Sequence, residues 1–234
     1  MPTPNLYGQP LGRDITDWVK KSPPEKVTLH GHYCIVCPLS VDHAEDLYHE
    51  WQSIDDDRDW TYLSDTKPTT KEQAYHYLRT LSADKEKLFF SVKERDSGSV
   101  RGLFCINNID LYNGNFAISE INWAPSMKRI RLSTEALFLI IHYFIDTLKY
   151  RRCEWRTNCL NAPAISSAER IGFKQEGILR EKRVTKGHSE DIALFSITAI
   201  DWMETAEVLK AWLRRENFDE RGRQIKKISD FRTP

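Results

Sequence analysis

Glu120-Ile-Asn-Trp-Ala-Pro-Ser-Met-Lys-Arg-Ile-Arg-Leu-Ser-Thr134-Glu-Ala-Leu-Phe-Leu-Ile-Ile-His-Tyr-Phe-Ile-Asp-Thr-Leu-Lys149 is the stretch that decides the fold. It begins inside an apolar run, Phe116 to Trp123, that reads as a strand. It ends in the strongest helix pattern of the chain, Thr134 to Lys149. There Leu137, Ile140, Ile141, Phe144, Ile145 and Leu148 share one face. The connector between them carries Arg129 and Arg131. A strand that feeds a loop at a helix N-terminus leaves free N–H groups pointing outward, and the helix dipole favours an anion there. Arginine adds paired, charge-assisted hydrogen bonds to phosphate. From the residues alone two readings stay open: a phosphate cradle, or a basic connector without a ligand.

Working outward, the preceding residues read as an antiparallel meander. Leu88 to Val92 and Val100 to Ile109 are strands, separated by a turn at Asp96-Ser-Gly98, and Gly114 breaks the run before Phe116. Further back, Val27 to His30 and Tyr33 to Pro38 are strand candidates around Gly31-His32. Ser40 is placed to cap a helix through Ala44, Leu47, Tyr48 and Trp51, and Thr69-Thr-Lys-Glu72 to open a second helix as a capping box. Downstream, Arg152 to Thr157 is a strand. A helix starts near Pro163 and ends at Gly172, two strands flank Lys186-Gly187, and Trp202 to Arg215 forms a last helix. The fold class is therefore mixed α/β (α+β), a single domain with a central, mostly antiparallel sheet flanked by helices. Residues 1–26 read as an N-terminal arm anchored by Trp18, 27–200 as the domain, and 201–234 as a C-terminal helix with a charged, solvated tail.

Bulk properties bound the function. The chain has 234 residues, 40% hydrophobic and 29% charged, which suits a packed core rather than disorder. Lys+Arg and Asp+Glu both number 34, and this balance argues against a general nucleic-acid binder. No apolar run is long enough to span a bilayer and no signal peptide is visible, so the expectation is a cytoplasmic protein without a membrane partner. Five cysteines without a secretory signal argue against a disulfide framework. Cys34-Ile-Val-Cys37 lies in a strand, where odd spacing sends the side chains to opposite faces, and no second pair completes a metal site. The expectation is no metal.

Asn161-Ala-Pro-Ala164 and Ala168-Glu-Arg170-Ile-Gly-Phe173 follow the strand Glu120-Ile-Asn122-Trp123 and Thr134-Glu135-Ala136 in order. Together these strings resemble the GNAT superfamily of acetyltransferases, closest to the branch of ribosomal-protein N-terminal alanine acetyltransferases. The resemblance covers about residues 27 to 200. It implies acetyl-CoA as co-substrate and an amine acceptor, with direct transfer in a ternary complex and no metal. It assigns the diphosphate to Arg129, Ile130, Arg131, Leu132, Ser133 and Thr134, and the pantetheine arm to Asn161. A backbone N–H in Ile121, Asn122 or Trp123 takes the thioester oxygen. Glu120 is the candidate base acting through water, beside the alternative of a solvent-exposed or ion-paired strand residue, and Ser167 a candidate hydroxyl near the sulfur, beside helix packing or capping. Three departures stand out. Arg131 replaces the first glycine of the superfamily's phosphate loop, Asn122 replaces a glycine, and Ala164 replaces a serine. A looser cradle is expected, with arginine charge offsetting part of the lost fit. Trp51, Trp60, Tyr62, Tyr112 and Trp155 are weighed as cleft-lining or core. The oligomeric state, monomer or homodimer, is left open. So are two rivals: a catalytically inactive acyl-CoA-binding sensor or partner module, and an unrelated α+β interaction domain.

Overall fold

In the computed structural model, which describes residues 3–232, the meander and the later strands join in one eight-stranded sheet. A short exposed ribbon, β1 (Thr3–Pro4) with β2 (Pro10–Leu11), precedes it. The main sheet holds β3 (Leu29–His30), β4 (Cys34–Pro38), β5 (Leu88–Glu94), β6 (Val100–Asp110), β7 (Asn115–Trp123), β8 (Arg152–Asn158), β9 (Lys174–Thr185) and β10 (His188–Thr198). Its order is β3-β4-β5-β6-β7-β8-β10-β9, antiparallel throughout except for the parallel pair β7–β8. Parallel pairing demands a crossover, and the long apolar helix supplies it.

Five α-helices cover the two faces. α1 (Ala44–Gln52) and α2 (Lys71–Ser82) lie over one face, packing Leu47, Trp51, Trp60 and Leu78 against Phe89 and Leu103. α3 (Arg131–His142), α4 (Ala162–Ile171) and α5 (Ala199–Trp212) cover the other. There Leu137, Ile140, Ile141 and Phe144 meet Phe104, Phe116, Ile118 and Phe195 in the larger core. α3 starts at Arg131, a turn earlier than its apolar pattern suggested, because Thr134 is buried and accepts a hydrogen bond from Arg170 (2.7 Å) instead of capping. Its last turn relaxes into a π-helix, Tyr143–Thr147. The cap of α2 is Thr70, one residue later than the box Thr69–Glu72 proposed, with Gln73 bonding back to Thr69.

Trp18 Nε1 donates to Tyr112 O (2.7 Å) at the β6–β7 turn. Gly114 there has φ +64°, and a Cβ on it would meet the Trp18 ring at 2.7 Å. The basic side chains of the charged tail, Arg214 to Lys227, are exposed, while the segment itself folds back under α5. Asn217 and Ile228 are buried, and Asn217 Nδ2 donates to Trp212 O (3.0 Å). All five cysteines are free, and among the described residues no group of three or more His, Cys, Asp or Glu could hold a metal ion. No helix of the described residues is long and apolar enough to cross a membrane.

Candidate functional site

The site begins where β7 and β8 part. Their parallel register runs from Asn115↔Arg152 to Ile118↔Trp155 and then stops. On the other edge of β7, Leu103 faces Asn122 and Cys105 faces Ser119, so Glu120 and Ile121 together oppose Phe104. That is a β-bulge, and Glu120 takes φ +49° within it. A non-glycine residue in this region is held there by its surroundings at a cost of about 1–3 kcal/mol. The bulge bends β7 away from β8 and turns Glu120 into the opening.

A cavity of about 330 Å³ fills the gap. Asn107, Ser119, Glu120 and Ile121 form one wall; Trp155, Arg156 and Asn158 of β8 form the other, with Asn161 and Ala164 below. Such a volume is at the small end of ligand sites. A separate open depression along Asp14–Trp18 belongs to the arm and shares no residue with this gap. Tyr62, Leu63 and Ser64, from the segment between α1 and α2, border the cavity as well. Trp60 O accepts from Lys186 Nζ of the β9–β10 hairpin (2.7 Å), and Tyr62 OH donates to Leu160 O (2.9 Å). Asp59 pairs with Lys128, so the same segment is tied to the loop before α3.

Glu120 is not free in the cavity. Its Oε1 accepts from Lys87 Nζ at 2.6 Å. Partial burial alone would lower the lysine's pKa, but the hydrogen bond and charge of Glu120 outweigh it and hold Lys87 above its ordinary value. Burial, reinforced by the Glu120 charge, pushes the neighbouring Cys105 thiol up to about 12. Asn107 Oδ1 is buried and, among the described residues, has no hydrogen-bond partner, whereas the Ser119 hydroxyl faces the Cys105 thiol across the strand pair. Asn122 is buried, its Oδ1 accepting from Trp51 Nε1 (3.1 Å).

At the start of α3 no side chain caps the helix, because Ile130 occupies the cap position. The departure expected at Arg131 takes a different form. Arg131 is the first helical residue, and its guanidinium stacks on Tyr33 (4.0 Å) and Phe218 (5.1 Å) instead of facing the loop. The left-handed position is Arg129, φ +60°, exposed and, among the described residues, in no ion pair or hydrogen bond. The Ser133 hydroxyl donates to Ile130 O (3.0 Å), so Ser133 offers the loop its N–H group rather than its hydroxyl, while the Thr134 N–H closes the first helical turn. A free helix end and one unpaired arginine, beside an opened strand pair, suit a phosphate-bearing acyl carrier.

The other expected residues separate. Asn161 caps α4, accepting from Ala164 N (3.2 Å), and borders the cavity. Ile121 borders it too, whereas Asn122, Trp123 and Ser167 do not. Of the aromatic residues, Tyr62 and Trp155 line the cavity; Trp51 and Trp60 are core and stack edge-on at 5.1 Å; Tyr112 is exposed at the arm. Sequence reasoning missed Lys87, Asn107 and Ser119. Lys87 closes a short polar loop without periodicity, and only the β5–β6–β7 order brings it to Glu120.

The sequence matches the family described as Acetyltransferase (GNAT) domain over residues 35–174. The crystal structure of a GCN5-related N-acetyltransferase from Brucella melitensis superposes with TM-score 0.90 and 35% identity, covering 93% of this chain and 99% of that one. A probable GNAT-family acetyltransferase from Chromobacterium violaceum gives TM-score 0.76 and 27% identity over 86% of this chain and 100% of that one. The human alpha/beta-tubulin-N-acetyltransferase 9 is 23% identical over 162 residues, 64% of this chain and 77% of that protein.

Proposed function

The chain belongs to the GNAT acetyltransferase family, and from that premise we propose that it moves the acetyl group of acetyl-CoA directly to a primary amine in a ternary complex. The acceptor is a protein N-terminus, a lysine or a small amine. The resemblance to the N-terminal alanine acetyltransferase branch favours the first of these. One observation carries the reading: Glu120, turned by the bulge into the gap between β7 and β8, one loop away from an uncapped helix end with Arg129 unpaired.

In this reading Arg129 and the free N–H groups of Ile130 to Ser133, with Thr134 closing the turn behind them, hold the diphosphate. Asn161 guides the pantetheine arm, and a backbone N–H near Ile121 polarises the thioester oxygen. The thioester supplies an activated acetyl carbon: the C–N bond forms as the C–S bond breaks. An ammonium has no lone pair, so its proton passes through one water to Glu120. Ala164 borders the cavity where a hydroxyl was sought and Ser167 does not, so solvent returns a proton to the departing thiolate.

The test pairs calorimetry with acetyl-CoA and a thiol-release assay over a panel of amines and peptides with free N-termini. Wild type is expected to bind acetyl-CoA and release thiol with at least one amine, and Glu120→Gln to bind it without release. Binding with no release from any amine would make the chain a CoA-binding module. No binding by folded protein would remove the reading altogether.

A further inference from the structure

The arm carries two features that the rest of the chain leaves without a partner. The first is the ribbon β1–β2. Asn5 organises its turn: Oδ1 accepts from the N–H groups of Tyr7 (2.9 Å) and Gln9 (3.0 Å), Nδ2 donates to Gln9 Oε1 (2.8 Å), and Gly8 takes φ +76°. This well-bonded turn presents Leu6 and Tyr7, which are 100% and 86% exposed. An isolated ribbon of two short strands is marginal in water, so an ordered apolar tip asks for a surface to pack on. The second feature is the open depression of about 510 Å³ along Asp14–Trp18, where Ile15 and the Trp18 ring give apolar wall.

One copy does not bring the two together. Among the described residues, none of 3–17 hydrogen-bonds to the domain or forms an ion pair with it. Anchoring starts at Trp18, with Tyr112, and continues through Lys21 N to Leu111 O (2.8 Å) and Tyr150 OH to Ser22 O (3.0 Å). The exposed tip also lies outside its own arm's depression. A foreign partner would have to answer the tip and the depression separately. A second copy answers both at once, because in an isologous pair the tip of each arm meets the depression of the other. Charge agrees with this. Arg13 and Asp17 are exposed, opposite in sign and, among the described residues, in no ion pair, so two arms running in opposite directions can pair them reciprocally. Area agrees as well. Leu6, Tyr7, Leu11, Ile15 and Val19 offer roughly 500 Å² of apolar surface per copy, and a standard interface takes about 800 Å² per partner, somewhat over half of it apolar.

We propose that the chain forms a homodimer by reciprocal arm exchange, the Leu6–Tyr7 tip of each copy seating in the Asp14–Trp18 depression of the other. No residue of the cavity between β7 and β8 takes part, so the inference stands apart from the transferase reading.

Sedimentation equilibrium of the whole chain at micromolar concentration is expected to give twice the mass of one chain. Leu6→Asp combined with Tyr7→Asp, which alters the tip, and Ile15→Asp, which alters the depression, are each expected to give the mass of one chain. That corresponds to a dimer weakened about a hundredfold or more. The near-ultraviolet circular dichroism of the domain should not change, because these side chains make no bond to it. A single-chain mass for wild type leaves the tip to some other protein and overturns the proposal. A dimer that survives both variants forms through another surface and overturns it too. A cross-link decides the exchange itself. Copies carrying Tyr7→Cys, mixed with copies carrying Ile15→Cys and mildly oxidised, are expected to join through these two positions, as read by mass spectrometry of the peptides. Dimers of the unlike copies without that link would overturn the seating.

Discussion

Lys87 Nζ lies 2.6 Å from Glu120 Oε1, a contact made across two strands and 33 residues of sequence. The lysine fixes one carboxylate oxygen and leaves the other to the cavity. We expect Lys87→Met to lower kcat about tenfold, since a base that swings free spends less time in reach of its proton. Acetyl-CoA affinity should not change, and Lys87→Arg should restore most of the rate. Steady-state kinetics with calorimetry checks this; an unaltered kcat in Lys87→Met would show the pair to be incidental.

Glu120 also bears backbone strain, with φ +49° inside the bulge. In an ordinary strand glycine is less stable than alanine by about 0.5–1 kcal/mol. At a left-handed position the order inverts, because alanine keeps the clash and glycine loses it. Glu120→Gly is therefore expected to be more stable than Glu120→Ala by about 1 kcal/mol, with both variants inactive. Urea unfolding of the two proteins measures the difference, and alanine proving the more stable would refute the strain.

How much of this was legible in the sequence follows the range of each signal. Leu137 to Phe144 repeat at helical spacing, so the long helix between two strands could be read directly, whereas the parallel β7–β8 pair it joins came with the sheet order. Glu120 and Asn161 were found by resemblance to short strings. The bulge was not found, because it arises from how β7 pairs with β6 and leaves no periodic mark. Lys87, Asn107 and Ser119 gain meaning only from strand order. The stacking of Arg131 was not legible either, since its ring neighbours, Tyr33 and Phe218, come from distant parts of the chain.

Glu135 was read as part of a family string, but its carboxylate organises the start of β4. It accepts from the backbone N–H groups of His32, Tyr33 and Cys34 at 2.7, 2.7 and 2.8 Å. It also fills the space a Cβ on Gly31 would need. Glutamine replaces one accepting oxygen by a donor that faces other donors. Glu135→Gln is expected to cost about 2–4 kcal/mol in urea unfolding. A change below about 0.5 kcal/mol would mean that the three bonds contribute little.

Acid stability has a separate source. The Arg152 guanidinium beside Glu176, helped by the Ser196 hydroxyl, holds its carboxyl at about 2, below the ordinary 4.5. A depressed native pKa stabilises the fold fully above the unfolded value and ceases to do so as pH falls through the native one. Glu176→Gln should thus differ from wild type most near neutrality, and the two should converge between pH 4.5 and about 2. The effect is modest because the Glu176 side chain is 40% exposed and solvent screens the pair. A stability gap that stays constant across that range would assign the effect to packing.

Thiol chemistry distinguishes one cysteine from four. Cys34, Cys37, Cys105 and Cys153 are buried, and burial raises each thiol above its ordinary value. The thiolate is the reactive form; burial and the Asp191 charge raise the Cys159 thiol as well, so access is what sets the four apart. Cys159 is only partly buried, just before Leu160, whose carbonyl accepts from the cavity residue Tyr62. A colorimetric disulfide reagent at pH 8 is expected to modify one thiol per native chain, at Cys159, and all five after unfolding. Acetyl-CoA bound in the gap should slow that single reaction, because Asn158 and Asn161 on either side of Cys159 border the cavity. Rapid labelling of a second thiol in the native protein would show that the sheet opens more readily than its packing implies.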